Sequence, residues 1–159
     1  MNFLNAEHTR FIKSLIKHKV RFIITGGQAA LYYGVHRNTG DLDVLIEPTA
    51  SNGIRLINAM EQLNLKLPEI KPDEFEKELF LSFGFEPEAI DIITHTPGIE
   101  FESAYKNARA LMLSGVKVKM LAIRDLIKNK ELLNRPDEKA HLDKYDAEVL
   151  KKILKRKKF

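Results

Sequence analysis

Three carboxylates set in apolar surroundings are the residues of this sequence best suited to chemistry. In Asp41-Leu42-Asp43-Val44-Leu45-Ile46 two acids alternate with apolar residues. Strand side chains point to opposite faces in turn, so Asp41, Asp43 and Leu45 share one face and Leu42, Val44 and Ile46 the other. Burial of the second set pins the register, because a slip of one residue would drive both acids into the core. The two carboxylates then stand roughly 7 Å apart along the strand. They repel each other, and a hard divalent cation with oxygen ligands relieves that repulsion, with Mg²⁺ the natural candidate. A third acid, Asp91, interrupts the apolar run Ala89-Ile90-Asp91-Ile92-Ile93. A buried charge is costly unless it is paired or ligates a metal, and a strand laid beside Asp41 and Asp43 would bring all three acids together. Plainer readings stay open: Asp-x-Asp also marks a solvated strand face, and Asp91 also suits a strand edge facing water.

Upstream, Gly26-Gly27 follows an apolar run and precedes a short helical stretch. Glycine lets the backbone approach a ligand closely, and a helix N-terminus offers unpaired N–H groups to phosphate oxygens; a tight turn explains the pair equally well. Arg37 has a planar fork that can bind two phosphate oxygens or pair with an acid. His8, His18, His36, His95 and His141 are scattered, with no His-x-x-x-His ligand spacing, and no Walker A loop, Rossmann fingerprint or serine elbow is present.

The elements that must hold these residues can be read from periodicity and punctuation. Phe11, Ile12, Leu15 and Ile16 recur at helical spacing over Ala6 to Lys17. A buried strand follows over Val20 to Thr25, then a helix over Gln28 to Tyr33 that Gly34 can stop. The loop from Val35 to Gly40 leads into the strand Asp41 to Ile46, which Pro48 breaks. Ser51 or Asn52 can cap the next helix, and Leu65 to Lys77 has no clear period. Strands over Glu78 to Phe83 and Ala89 to Thr94 flank the turn Gly84-Phe85-Glu86-Pro87. A helix over Phe101 to Ala108 precedes a hairpin in which Ser114-Gly115 joins Arg109–Leu113 to Val116–Met120. Two helices, Ile123 to Asn134 and Asp137 to Lys155, close the chain around Arg135-Pro136. The expectation is one α+β domain, a mixed sheet with helices at both ends, over residues 1–150.

Composition narrows the class. A chain of 159 residues with 44% hydrophobic content is of single-domain size, large enough to bury a core without disulfides or a structural metal. It has no cysteine, which excludes thiol catalysis and Cys-ligated zinc. The N-terminus lacks a signal-peptide pattern and no run of 18 apolar residues occurs, so a cytoplasmic protein without membrane association is expected. The net charge of +4 depends on the end of the chain: residues 151–159 hold six basic residues and no acid, leaving 20 basic and 22 acidic residues elsewhere. Nucleic-acid binding would rest on that basic tail, which also suits a solubilising end.

Taken together, Gly26-Gly27, thirteen intervening residues and Asp41-Leu42-Asp43-Val44 resemble the signature of polymerase-β-type nucleotidyltransferases. Tyr33-Gly34 and Arg37-Asn38-Thr39-Gly40-Asp41 are similar to the Gly…Arg-x-Thr-x-Asp-x-Asp pattern of small bacterial and archaeal members, including the toxin enzymes of type IV toxin–antitoxin systems. Asp91 with Thr94, Pro97 and Gly98 resembles their third-acid strand. Asp125-Leu126-Ile127-Lys128, Lys130 and Arg135-Pro136 resemble their ending, although Pro136-Asp137-Glu138-Lys139 stands where many relatives have Lys-Asp directly. The resemblance implies the nucleotidyltransferase fold and transfer of a nucleoside monophosphate from a triphosphate to a hydroxyl, with release of pyrophosphate. It implies two Mg²⁺ ions held by Asp41 and Asp43, with Asp91 ligating the acceptor-side metal and handling the acceptor's proton. Gly26 and Gly27 would cradle the triphosphate, with Arg37 and Thr39 from the loop, and Lys128 and Arg135 could reach it from the C-terminal helices. Lysine on an amphipathic helix also suits a solvated face. RNA, a protein hydroxyl or a small molecule could be the acceptor. The alternatives are a catalytically silent nucleotide-binding or toxin–antitoxin partner protein of the same fold, and a nucleic-acid-binding module using the basic tail.

Overall fold

The computed structural model describes residues 4–136 and 138–157. The first helix, α1 (Ala6–Lys17), is capped by Asn5, whose side chain accepts from the His8 N–H at 2.9 Å, and its buried face carries Phe11, Ile12 and Leu15. β1 (Phe22–Thr25) is buried along its whole length. It passes without a loop into α2 (Gly26–Tyr33), so the helix begins at the two glycines rather than at Gln28. Gly34, at φ 117, ends it in the left-handed region that glycine adopts without strain.

β2 (Asp41–Ile46) spans the expected residues. The next helix, α3 (Ala50–Gln62), is capped by Thr49 and not by Ser51 or Asn52. Asn52 is fully buried instead, accepting from the Arg21 N–H and donating to the carbonyls of Arg21 and Glu47. The aperiodic stretch holds a 3-10 turn, Pro72–Glu76, whose Phe75 is buried where a Cβ on Gly53 would stand. There follow β3 (Phe80–Phe83), β4 (Ala89–Ile93), α4 (Phe101–Asn107), the hairpin β5 (Arg109–Leu113) and β6 (Val116–Met120), then α5 (Ile123–Leu132) and α6 (Glu138–Lys157).

The six strands form one mixed sheet in the order β3-β4-β2-β1-β6-β5. β2 is antiparallel to β1 and parallel to β4, and β1 is parallel to β6. Leu42, Val44 and Ile46 are fully buried, as the alternation demands. Helices α1 and α3 pack together, tied by the Ser14 hydroxyl donating to the Ala59 carbonyl at 2.8 Å. α2 lies against β1 and β2 and meets α5 and α6. This is the expected α+β architecture, a mixed sheet flanked by helices with a helical C-terminal segment. Residues 151–157 continue α6, and Ile153 and Leu154 pack on the core; residues 158 and 159 lie outside the described residues. Among the described residues no helix is long and apolar enough to cross a membrane.

Candidate active site

The register of the parallel pair β2 and β4 sets Asp43 opposite Asp91 and Asp41 opposite Ala89. Paired residues share a face, so the three acids converge on one side of the sheet. One carboxylate oxygen from each lies within 4.8 Å of the others. All three residues are half-buried. Burial, and then the charges of Asp91 and Asp41, push the Asp43 carboxyl up to about 7; Lys130 and the Gly27 N–H pull the other way. Asp41 is raised by burial first, then by Asp91 and Glu86. Asp91 accepts from the Ser82 hydroxyl of β3 at 2.7 Å.

The turn from β1 into α2 is built around the second acid. Gly26 sits at φ +65, and a Cβ there would collide with the Asp43 carboxylate. Any other residue would be strained and would displace the acid. Gly27 is covered by the Thr39 side chain, with Arg37 Nη2 next beyond it, so the loop before β2 folds over the start of α2. Gly40 is covered in the same way by the side chain of Glu86, which lies in the loop between β3 and β4.

A second set of charges stands beside the acids. Arg37 donates from Nε and Nη2 to the two oxygens of Asp146, both at 2.8 Å, so the fork expected at a phosphate is engaged by an acid of α6. Lys130 of α5, 2% exposed in its side chain, reaches Asp146 at 3.1 Å and Asp143 at 3.3 Å. Arg135 donates to both oxygens of Asp143. Burial alone would raise Asp146, but the Arg37 hydrogen bond and the Lys130 charge outweigh it and hold its carboxyl below the usual range. Asp43 feels Lys130, and Arg135 feels Asp43, so the two clusters interact.

Of the other expected phosphate-side residues, Lys128 is exposed, its stem beside Gly98 in the loop after β4. The lysine that turns inward is Lys130. Its position was readable, since it continues the buried stripe Ile123, Leu126, Ile127 of α5 at helical spacing. Asp143 and Asp146 lie likewise on the stripe completed by Ala147 and Leu150 in α6.

The acids suit a divalent cation: three oxygen donors converge, Asp41 and Asp43 are raised in pKa by burial and then by neighbouring negative charge, and no side-chain cation pairs directly with Asp41 or Asp43 among the described residues. No protein-family model matches the chain, and no curated protein does. Solved structures do. The lincosamide antibiotic adenylyltransferase LnuA with lincomycin bound superposes at a TM-score of 0.55 and 14% identity, over 96% of this chain and 99% of that one. An antigenic nucleotidyltransferase-like protein from Paracoccidioides brasiliensis gives 0.54 at 14% identity over 91% and 74%. The solution structure of the antibiotic-resistance factor ANT(2'')-Ia gives 0.52 at 14% identity over 94% and 90%. By architecture and by these likenesses, the chain has the nucleotidyltransferase fold.

Proposed function

We propose that this chain is a metal-dependent nucleotidyltransferase that moves a nucleoside monophosphate from a triphosphate to a hydroxyl, with release of pyrophosphate. The observation that carries this reading is the convergence of Asp41, Asp43 and Asp91 beside the Gly26-Gly27 start of α2. Asp41 and Asp43, with Asp91, would hold Mg²⁺, which when bound neutralises phosphate charge and stabilises the attacking and leaving oxygens.

The chain's own residues supply the rest. The backbone of Gly26 and Gly27 can approach the triphosphate closely at the N-terminus of α2. Lys130 and Arg135 place fixed positive charge near Asp43, on the side where a polyphosphate would lie. Arg37 and Thr39 act by covering Gly27 and holding the loop, since the Arg37 fork is engaged by Asp146. Asp91 lies toward the β3 edge and would accept the acceptor's proton, with the Ser82 hydroxyl fixing its orientation. The likeness to LnuA, described as an adenylyltransferase, supports ATP as the donor.

The test is calorimetric titration of nucleoside triphosphates with and without Mg²⁺, followed by pyrophosphate release in the presence of cell lysate. Mg²⁺-dependent binding and release are expected. Binding without release would favour a silent nucleotide-binding protein, and no Mg²⁺-dependent binding would refute the reading.

A further inference from the structure

Two hydroxyl residues stand directly across from acids of the triad, one on each side. The antiparallel register of β3 and β4 pairs Ser82 with Asp91, and that of β1 and β2 pairs Thr25 with Asp43. Residues paired in this way share a face of the sheet, with their Cβ atoms roughly 4.5–5.5 Å apart. The first pair is bonded: the Ser82 hydroxyl donates to Asp91 at 2.7 Å. The second is not. Thr25 is 3% exposed, and its Oγ1 is buried without a hydrogen-bond partner.

The local use open to this hydroxyl is not taken up either. Thr25-Gly26-Gly27-Gln28 has the Thr-x-x-Gln pattern of a capping box, in which the threonine oxygen accepts from the N–H of the fourth residue and the glutamine oxygen reaches back to the first. Thr25 is the N-cap of α2, yet its side chain makes no capping bond, and the Gln28 carboxamide oxygen is buried and unpaired as well. The backbone of Thr25 is extended (φ −134, ψ −162) and Gly26 turns it at φ +65, close against the Asp43 carboxylate, on which the Gly27 N–H acts. A buried hydroxyl with no partner gives up its hydrogen bonds to water and gains none in exchange, whereas valine has the same shape and would be buried without that cost.

Resting on the metal-dependent reading, we propose that Thr25 is a positioning residue for Asp43: when a divalent cation is bound at the triad, the Thr25 hydroxyl donates to the Asp43 carboxylate and fixes its orientation, as Ser82 does for Asp91. A carboxylate that ligates a metal is itself held by hydrogen bonds, which aim the ligating oxygen. Rotation about χ1 moves the threonine hydroxyl between staggered positions, and across a directly paired couple of strand residues this is enough to bring Oγ1 to the carboxylate. Asp43 and Asp91 are themselves paired across β2 and β4, so the two hydroxyls hold the facing acids from opposite sides.

The test measures Mg²⁺ binding to the full chain by calorimetry at pH 8, and thermal unfolding in EDTA, for the wild type, Thr25→Val and Thr25→Ser. Valine keeps the shape and removes the hydroxyl; serine keeps the hydroxyl and removes the methyl. Thr25→Val should bind Mg²⁺ about 10- to 100-fold more weakly, the range for loss of a group that orients a metal ligand. In EDTA it should melt no lower than the wild type, because the hydroxyl it lacks has no partner in the fold itself. Thr25→Ser should bind Mg²⁺ nearly as tightly as the wild type, although loss of a buried methyl lowers its melting temperature. Wild-type affinity in Thr25→Val, a Thr25→Ser as weak as Thr25→Val, or a Thr25→Val that melts well below the wild type in EDTA would overturn the proposal, the last by showing that the hydroxyl already serves the fold. A wild type that binds no Mg²⁺ would overturn the metal-dependent reading instead.

Discussion

Two charge clusters lie side by side in this molecule and are built on opposite terms. Asp41, Asp43 and Asp91 bring three carboxyl groups together, and burial, then repulsion from Asp91 and Asp41, pushes the Asp43 carboxyl up to about 7. In the neighbouring cluster Arg37, Lys130 and Arg135 meet Asp143 and Asp146 at hydrogen-bond distance, and Asp146 is held below the usual range. The second cluster is paired from within, three cations to two carboxylates. The first is not, and what it lacks is positive charge. Under the proposed function a bound cation would supply the charge that the three acids lack, whereas the neighbouring cluster balances its own charges within the fold and lends Lys130 and Arg135 to the site.

The contrast is broken most severely by neutralising the acids. Asp41→Asn or Asp43→Asn should abolish Mg²⁺-dependent transfer in a single-turnover assay while the circular dichroism spectrum stays native. Full transfer in either variant would remove the metal site from the account.

The paired cluster should respond in the opposite way. Asp146→Ala strips Arg37 and Lys130 of a shared partner, and an unpaired buried charge costs roughly 3–5 kcal/mol. At about 3 kcal/mol, a chain of this size should melt roughly 6–12 °C lower. A melting temperature within a degree or so of wild type would mean that the network is ornamental.

Asp91 should behave differently from the other two acids of the triad. Asp91→Asn should transfer at least ~100-fold more slowly, the lower end for lost general-base catalysis, yet bind nucleoside triphosphate almost normally, because its charge matters mainly in the transition state. Calorimetry beside single-turnover transfer decides this, and binding lost as completely as in Asp41→Asn would end the division of labour. Smallest of all should be Lys128→Ala, whose exposed side chain belongs to neither cluster. Stability should change by less than about 0.5 kcal/mol, and nucleotide affinity should be unchanged by calorimetry.

Much of the scaffold was legible because it follows from local rules. The alternation in Asp41 to Ile46, the stripe of α1 and the Ser114-Gly115 hairpin all depend on neighbours in sequence, and each element formed where periodicity placed it. What escaped depends on contacts across the chain. Asn52 suits a helix cap, but its amide is needed to bridge Arg21 and Glu47, so Thr49 caps α3 in its place. The 3-10 turn around Phe75 exists because Gly53 leaves space for that ring. At the site, the convergence of the acids could be anticipated from strand pairing, whereas the pairing of Arg37 with Asp146 joins residues 109 apart. Lys130 sits two residues beyond the lysine singled out from sequence. Helical phase distinguishes them, because Lys130 is in register with Ile123, Leu126 and Ile127 and Lys128 is not.

A cation held by the triad, its charge replacing the missing partner, would show itself in thermal unfolding with EDTA or with Mg²⁺, at pH 5 and at pH 8. The folded-state pKa of Asp43 lies above its ordinary value of 3.8, so the folded protein holds that proton more tightly than the unfolded chain. This contribution therefore weakens as pH rises from about 4 to about 7. In EDTA the wild type should lose stability between pH 5 and pH 8 relative to Asp43→Asn, in which that group cannot ionise. Mg²⁺ should raise the melting temperature of the wild type at pH 8, where the acids are ionised and bind it best, do so much less at pH 5, and leave Asp43→Asn little changed at either pH. A wild type indifferent to Mg²⁺ at pH 8, or an Asp43→Asn variant stabilised as strongly, would mean that the triad does not hold the cation.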